Sequence, residues 1–441
     1  MSRMKSIASV LSVIALGFGL LSCTNSGGGG GGGGGTSSTA FLYVSNSGGA
    51  DISAYSVDTT TGVLTPLIGS PFPAGTNPKA LTVSASGTVA FVSNTGSANV
   101  SGYLLTAATG ILTPSSAAPF LAGTTPQTLT LEPDEKFAFV ANAGNVGVGA
   151  NTVSVYGVNT TTGILTEVTG SPFPVAPGIQ PQQATVVTVS PTVKFVYLAN
   201  AGSSNVSGFR LDTTTGGLTP VLISSPFAVG AVPESVVADS AGNFLYVSNS
   251  GATSVSAFRI DQITGGLVAN VTGAPFPAGT APQPVTLHPT KPFAYVANAG
   301  SGNLSAYSVN AGTGEFTIIT NLGSLTPNFF DTGTTPQQVT IDPSGKFAIV
   351  ANSGSDDVSV YEINQSTGEL AQVSGSPFAA GTSPQRVTVD PTGKFVFVPN
   401  SGSGDVSVYQ LSPTTGFLTP VAGSPFPAGT GPQFATTAGT F

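Results

Sequence analysis

The stretch Pro384–Pro427, PQRVTVDPTGKFVFVPNSGSGDVSVYQLSPTTGFLTPVAGSPFP, decides the fold. It holds four runs with strand character, here called A (PQRVTVD), B (KFVFVPN), C (DVSVYQL) and D (LTPVAGSPF). Asp-Pro-Thr-Gly (390–393) suits a tight turn between A and B, and Thr-Thr-Gly (414–416) suits one between C and D. Strand B is apolar along most of its length instead of alternating, so it needs cover on both faces. The proline of the Ser-Pro-Phe sequence falls in D, the outermost strand, where a missing N–H costs least. Its Phe is expected to fill the gap between neighbouring units.

The same unit recurs through the chain, anchored by a short apolar run ending in Asn. The copies are YVSN (43–46), FVSN (91–94), FVAN (139–142), YLAN (197–200), YVSN (246–249), YVAN (295–298), IVAN (349–352) and FVPN (397–400), at spacings of 48, 48, 58, 49, 49, 54 and 48. A four-stranded unit of about 50 residues is the period of a β-propeller, whereas β-helix turns are much shorter. The repeats begin with B, C and D from Phe41 and stop after a lone A, Pro432–Phe441. The last strand can therefore complete the first sheet and leave no open edge. The expectation is all-β: a closed propeller of eight four-stranded blades, with seven as the alternative if one unit lies outside the ring.

Composition agrees with an all-β chain rich in turns. Of 441 residues only 7% are charged, and 58 are Gly and 34 Pro. The net charge is −8, and −10 once Arg3 and Lys5 are set aside, which argues against nucleic acid as a partner. Residues 1–22 have a basic start and an apolar stretch from Ile7 to Leu21, the layout of a secretory signal. Leu20, Leu21, Ser22 and Cys23 resemble the lipobox of bacterial lipoproteins, in which the cysteine is acylated. Cys23 is the sole cysteine, so no disulfide can form within one chain. The glycines from Gly27 to Gly35 lie in a segment, 23–40, that cannot bury enough apolar surface to fold, and as a tether it would span roughly 20–25 Å. Residues 41–441 are left for the propeller.

The YVSN and YVAN runs, with the Asp-Pro-Ser-Gly-Lys-Phe lead-in at 342–347, resemble the YVTN repeats of bacterial surface propellers. They are also similar to the lactonase propeller family, which includes 6-phosphogluconolactonases and carboxy-muconate cyclases. That resemblance implies a propeller, usually of seven blades, and a lactone hydrolase using His, Arg and acidic residues. An eighth unit departs from the pattern, and the chain offers few residues of those kinds.

His288 is the single histidine and the one weak catalytic candidate. It occupies the A-to-B turn position held in other repeats by Glu132, Ser190, Asp342 and Asp390, which points to a structural role. Arg210 and Arg259 hold equivalent places in strand C, and Arg386 lies in strand A. No zinc-helix, nucleophile-elbow or phosphate-loop motif is present, so no cofactor is expected. Scarce His and Cys leave oxygen ligands as the sole metal chemistry. Asp51, Asn99, Asn205, Asn303, Asp357 and Asp405, just before strand C, are expected to bond the backbone of the B-to-C turn, with calcium as the alternative.

Residues common to every blade maintain the blade, so a unique site belongs where the repeats differ. Strand A starts on the face of the B-to-C and D-to-A loops with Lys79, Gln127, Gln182, Glu234, Gln283, Gln337, Gln385 and Gln433, a ring of candidate ligand-binding residues that Lys79 and Glu234 break. Three insertions, at 143–152, 175–187 and 320–335, are expected on this same face. The function expected is an exported, lipid-anchored monomer at the cell envelope, in periplasm or outer membrane. It would hold a small molecule, polymer or envelope protein, and would meet membrane only through its anchor. Lactone hydrolysis and a purely structural envelope role are the alternatives.

Overall fold

The computed structural model describes residues 40–144, 151–221, 226–321 and 329–441. These form eight antiparallel sheets in a ring, numbered I to VIII by their B strands from Ala40–Asn46 to Phe395–Asn400. Blade I is composite: Pro432–Gly439 supplies its strand A and pairs with Ala40–Asn46 from Gly439 opposite Ala40 to Pro432 opposite Asn46. Eight blades closed by the last strand is the count read from the repeat. Cys23 and the signal-like segment lie outside the described residues.

The B strands are buried from end to end in seven blades, and in blade IV at every residue but the first, Val193. Their apolar side chains fill eight clusters, each built by two neighbouring blades, as when Phe41, Tyr43 and Ile52 of blade I meet Leu81, Ala90 and Tyr103 of blade II. The ring is thus a cycle of interfaces in place of one core, which is how a chain this long escapes the size limit of a single core.

Strand D corrects the four-strand reading. It is split, and both halves pair with C: Leu418–Pro420 against one end and Phe426–Pro427 against the other. Between them proline offers no N–H, and the preceding serine offers an oxygen in exchange. Ser70 Oγ accepts from Ala54 N at 2.9 Å, Ser171 Oγ from Val155 N at 3.0 Å, and Ser376 and Ser424 do the same for Val360 and Val408. In these four blades the break in the outer strand therefore leaves no orphan donor on C, whereas blades II and V carry Ala118 and Ala274 before the proline.

Tyrosines lace the blades together. All ten of the chain's tyrosines donate their hydroxyl to a backbone carbonyl of an adjacent blade. From strand B, Tyr43 reaches Gly110 O at 2.7 Å; from strand C, Tyr307 reaches Pro277 O at 2.6 Å. A Tyr307→Phe variant keeps the packing and strands one carbonyl, so its chemical denaturation should show a loss of about 1 kcal/mol. No loss would mean that water satisfies the carbonyl equally well.

The insertions do not all share a face. Residues 145–150, the heart of the first, lie outside the described residues. The extra length of blade IV goes partly before Gly178 and partly into a longer pairing of Pro181–Ser190 with Val193–Asn200, toward the opposite face. The third separates Phe316–Ile318 from Phe330–Asp331, the two halves of strand D in blade VI, so it falls within D and not after it. Its residues 322–328 are likewise outside the description.

Candidate functional site at the channel mouth

Strand A of every blade lines the central channel, and the wall is held by threonines that donate to the next blade. Thr82 Oγ1 bonds Leu129 O at 3.1 Å, Thr130 bonds Ala184 O at 2.9 Å, and Thr286, Thr340 and Thr388 repeat the contact. Blade V has Val237 where the others place this threonine.

Above this wall sits the ring expected from the sequence. Its glutamines turn back on their own loops: Nε2 of Gln127, Gln182, Gln283, Gln337 and Gln385 donates to the carbonyl two residues earlier, at 3.0–3.3 Å. That carbonyl belongs to a residue of positive φ in each case, so the amide pins a strained turn. Gln433 occupies the same strand position in blade I.

The two exceptions behave differently. Lys79 Nζ donates to Gln127 Oε1 of the next blade. It is exposed to solvent yet closely surrounded by protein, as a group standing in a water-filled channel should be, and burial followed by repulsion from Arg386 holds its pKa below the ordinary lysine value. Glu234 makes no hydrogen bond or ion pair among the described residues, whose salt bridges are confined to Lys194. A carboxylate cannot donate, so it forgoes the turn-pinning bond that glutamine makes.

Arg386 belongs to this group, although the repeat pattern assigned it no more than a place in strand A. Its guanidinium stacks over the Phe434 ring of blade I at 5.2 Å, and burial lowers its pKa, with attraction to Glu234 opposing. Arg386 stands one residue past the ring, where the eight repeats carry Ala80, Thr128, Gln183, Ser235, Pro284, Gln338, Arg386 and Phe434. That disorder among repeats was the available signal. In ring order Arg386 (blade VIII) and Lys79 (blade II) flank blade I, and Glu234 (blade V) lies diametrically opposite. Two cations thus face one carboxylate across the mouth.

His288 is elsewhere, in the A-to-B turn on the opposite face. Its Nδ1 accepts from Lys291 N at 3.0 Å and Thr290 N at 3.2 Å, which puts the proton on Nε2, facing Gly345 O at 2.8 Å. Asp390 accepts from its turn's backbone in the same manner, with Thr392 N at 2.9 Å. Burial holds the His288 pKa below its ordinary value. The unfolded chain then takes up the proton first, so stability should fall as pH drops below about 6.5. In His288→Asp that loss should be absent between pH 7 and the lowered value, as thermal denaturation across pH will report.

The six residues before strand C are a correction. Their oxygens accept from the anchor asparagine's side chain and not from turn backbone: Asn46 Nδ2 bonds Asp51 Oδ1 at 2.7 Å, and Asn94, Asn200, Asn298, Asn352 and Asn400 repeat this with Asn99, Asn205, Asn303, Asp357 and Asp405. Among the described residues no cluster of three or more His, Cys, Asp or Glu could hold a metal. Among the described residues the buried ion pair is Lys194 with Glu132 at 2.6 Å, extended to exposed Asp134, and it joins blades III and IV on the face opposite the mouth. Burial alone would depress the Lys194 pKa, but its hydrogen bonds to Asp134 and Glu132 hold it above the ordinary value.

Comparison with known proteins fits this architecture. No curated protein matches the sequence. Among solved structures, a candidate 6-phosphogluconolactonase of Bacteroides uniformis ATCC 8492 superposes with a TM-score of 0.59 at 17% identity, over 91% of this chain and 100% of that one. The periplasmic gluconolactonase of Pseudomonas aeruginosa gives 0.59 at 17%, over 91% and 99%, and apo AztD of Citrobacter koseri 0.57 at 14%, over 91% and 98%. At such identities the likeness is one of fold. The family described as lactonase, 7-bladed beta-propeller, matches residues 35–126, 119–278 and 233–431, and the chain belongs to that family, with one blade more than its description.

Proposed function

We propose that this propeller is an exported, lipid-anchored envelope protein that captures a small anionic ligand at the mouth of its channel. One observation carries the reading: Lys79 and Arg386, each held below its ordinary basicity by burial and Lys79 further by repulsion from Arg386, have no carboxylate within ion-pairing distance among the described residues. Two unpaired cations in a confined channel are costly to the fold and useful to an anion. The signal-like segment before Cys23 supports export, and a periplasmic relative of the same fold is compatible with it. Among the described residues no helix is long and apolar enough to cross a membrane; the lipobox-like run Leu20, Leu21, Ser22, Cys23 supports an anchor at Cys23.

Titration calorimetry with inorganic phosphate and with gluconate tests the site. Both should bind the wild-type chain and bind Lys79→Met/Arg386→Met at least about tenfold more weakly. The double variant should also unfold at a temperature no lower than wild type, because a like-charge contact is removed. Equal affinity in the two proteins would reject the site.

Membership of the lactonase family and the unpaired Glu234 favour a second reading, hydrolysis of a lactone. Glu234 would take a proton from water as it adds to the ring carbonyl, the cations would stabilise the oxyanion, and the departing ring oxygen would regain the proton. Glucono-lactone turnover above the uncatalysed rate, lost in Glu234→Gln and kept in His288→Ala, would establish it. Absence of turnover leaves capture alone.

A further inference from the structure

The rim beside Glu234 differs from the rest of the mouth. In each blade the residue two places before the ring position has positive φ: Asn77, Thr125, Gln180, Val232, Ala281, Thr335, Ser383 and Gly431. Val232, at φ 49°, is the worst suited of these, because a β-branched apolar side chain is strained there and gains no polar contact in return. It is also 43% exposed. The residue before it is Thr in six blades, at 76, 124, 280, 334, 382 and 430, but Ile179 in blade IV and Ala231 in blade V. Ile179 is 40% exposed. The polar rim is therefore replaced by an aliphatic lip at two adjacent blades, on the side of the channel that carries Glu234 and lacks both cations.

Three departures from eightfold regularity coincide here: a glutamate that gives up its turn-pinning bond, a valine in a strained conformation, and threonines exchanged for apolar residues. None helps the fold, and together they give the mouth a second pole. From this arrangement, and resting on the capture of an anion at Lys79 and Arg386, we infer that the ligand is elongated and bipolar. Its anionic group sits between Lys79 and Arg386, its chain crosses the channel, an aliphatic part lies on Val232 and Ile179, and a hydroxyl or ammonium group donates to Glu234. Phosphate or acetate fills only the first pole.

Titration of the full chain with hexanoate, 6-hydroxyhexanoate, 6-aminohexanoate and phosphate tests the second pole. The ω-hydroxy or ω-amino acid should bind about tenfold or more tightly than hexanoate, and the better of the two identifies the donor. Glu234→Gln should remove the preference for the ammonium. Val232→Thr should lower the ratio of 6-aminohexanoate to phosphate affinity several-fold while raising the melting temperature, a pairing that a structural valine would not give. Hexanoate binding as tightly as its ω-substituted forms, or an unchanged preference in Glu234→Gln, would overturn the inference while phosphate binding still upheld the first pole. If phosphate also failed to bind, both readings would fall.

Discussion

Gly265→Ala should be among the most damaging single-methyl changes available in this protein, lowering stability in chemical denaturation by about 2–5 kcal/mol. Gly265 closes the C-to-D turn of blade V with φ +74°, and a Cβ there would stand 2.4 Å from Phe195 Cδ1 of blade IV. The same glycine gives its carbonyl to Tyr197 OH at 2.7 Å, so any shift that relieves the clash also stretches an inter-blade hydrogen bond. Left-handed backbone accounts for about 1–2 kcal/mol of the loss, and forcing a methyl into a packed ring for about 1–3 more. Gly87→Ala separates the two causes. Its φ of +67° is equally left-handed, yet a Cβ there meets nothing within 4 Å, so it should lose the first part alone. Equal losses at the two positions would show that the blade interface yields freely and that backbone conformation is the whole effect.

The pattern repeats at Gly110 against Phe41, Gly314 against Phe244 and Gly368 against Phe293. The contact could not be read from one repeat, because its partners sit in different units 69 to 75 residues apart. What the repeat did disclose was the frame of a single blade: the Asp-Pro-Thr-Gly turn, the two-faced strand B, and the closing strand at Pro432. Features that join blades, or that cross the channel, were hidden by the same regularity. Arg386 looked isolated because its neighbours in space, Phe434, Lys79 and Glu234, come from three other repeats. The split of strand D was hidden for another reason. Ser-Pro-Phe reads as an edge strand with a tolerated proline, and only geometry shows that Ser70 Oγ takes the place of a backbone acceptor for Ala54.

Repetition also explains where function can be afforded. In blades III, VI, VII and VIII the ring glutamine bonds the carbonyl of the positive-φ residue, and a rim threonine precedes it. In blade V all three are altered together, and blade VIII adds an arginine where neighbours have small or neutral groups. A uniform ring would be more stable, since Glu234 and Val232 each forgo something that the other blades have. Such a concentration of local costs at one mouth is the expected mark of a binding site, because loss of fold stability there is tolerated only when something else is gained.

Asn400→Asp should lose about 3–5 kcal/mol at pH 7, and the loss should shrink as the solution is acidified. Asn400 is fully buried, and its amide donates to Asp405 Oδ1 at 2.6 Å and to Ser407 Oγ at 2.9 Å. Gly381 closes over it so tightly that a Cβ on that glycine would meet Asn400 Nδ2 at 2.6 Å, which leaves no room for a rearranged side chain. Replacing the amide by a carboxylate turns the bond to Asp405 into a repulsion between a fully buried and a partly buried like charge, and leaves the Ser407 hydroxyl as the one partner able to turn and donate. Folding then favours the protonated form of the introduced carboxyl, so its pKa rises above the unfolded value near 4. Sign follows from that: the folded variant holds more protons than the unfolded one, and stability falls as pH rises from about 4 to the raised pKa. Asn298→Asp is the discriminating partner. There the acceptor is Asn303, whose own amide can turn its NH2 toward the new carboxylate, so the loss at pH 7 should be smaller and its pH dependence weaker. Equal losses would show that the amide donor alone matters, and that the charge at position 405 plays no part in holding the anchor asparagine.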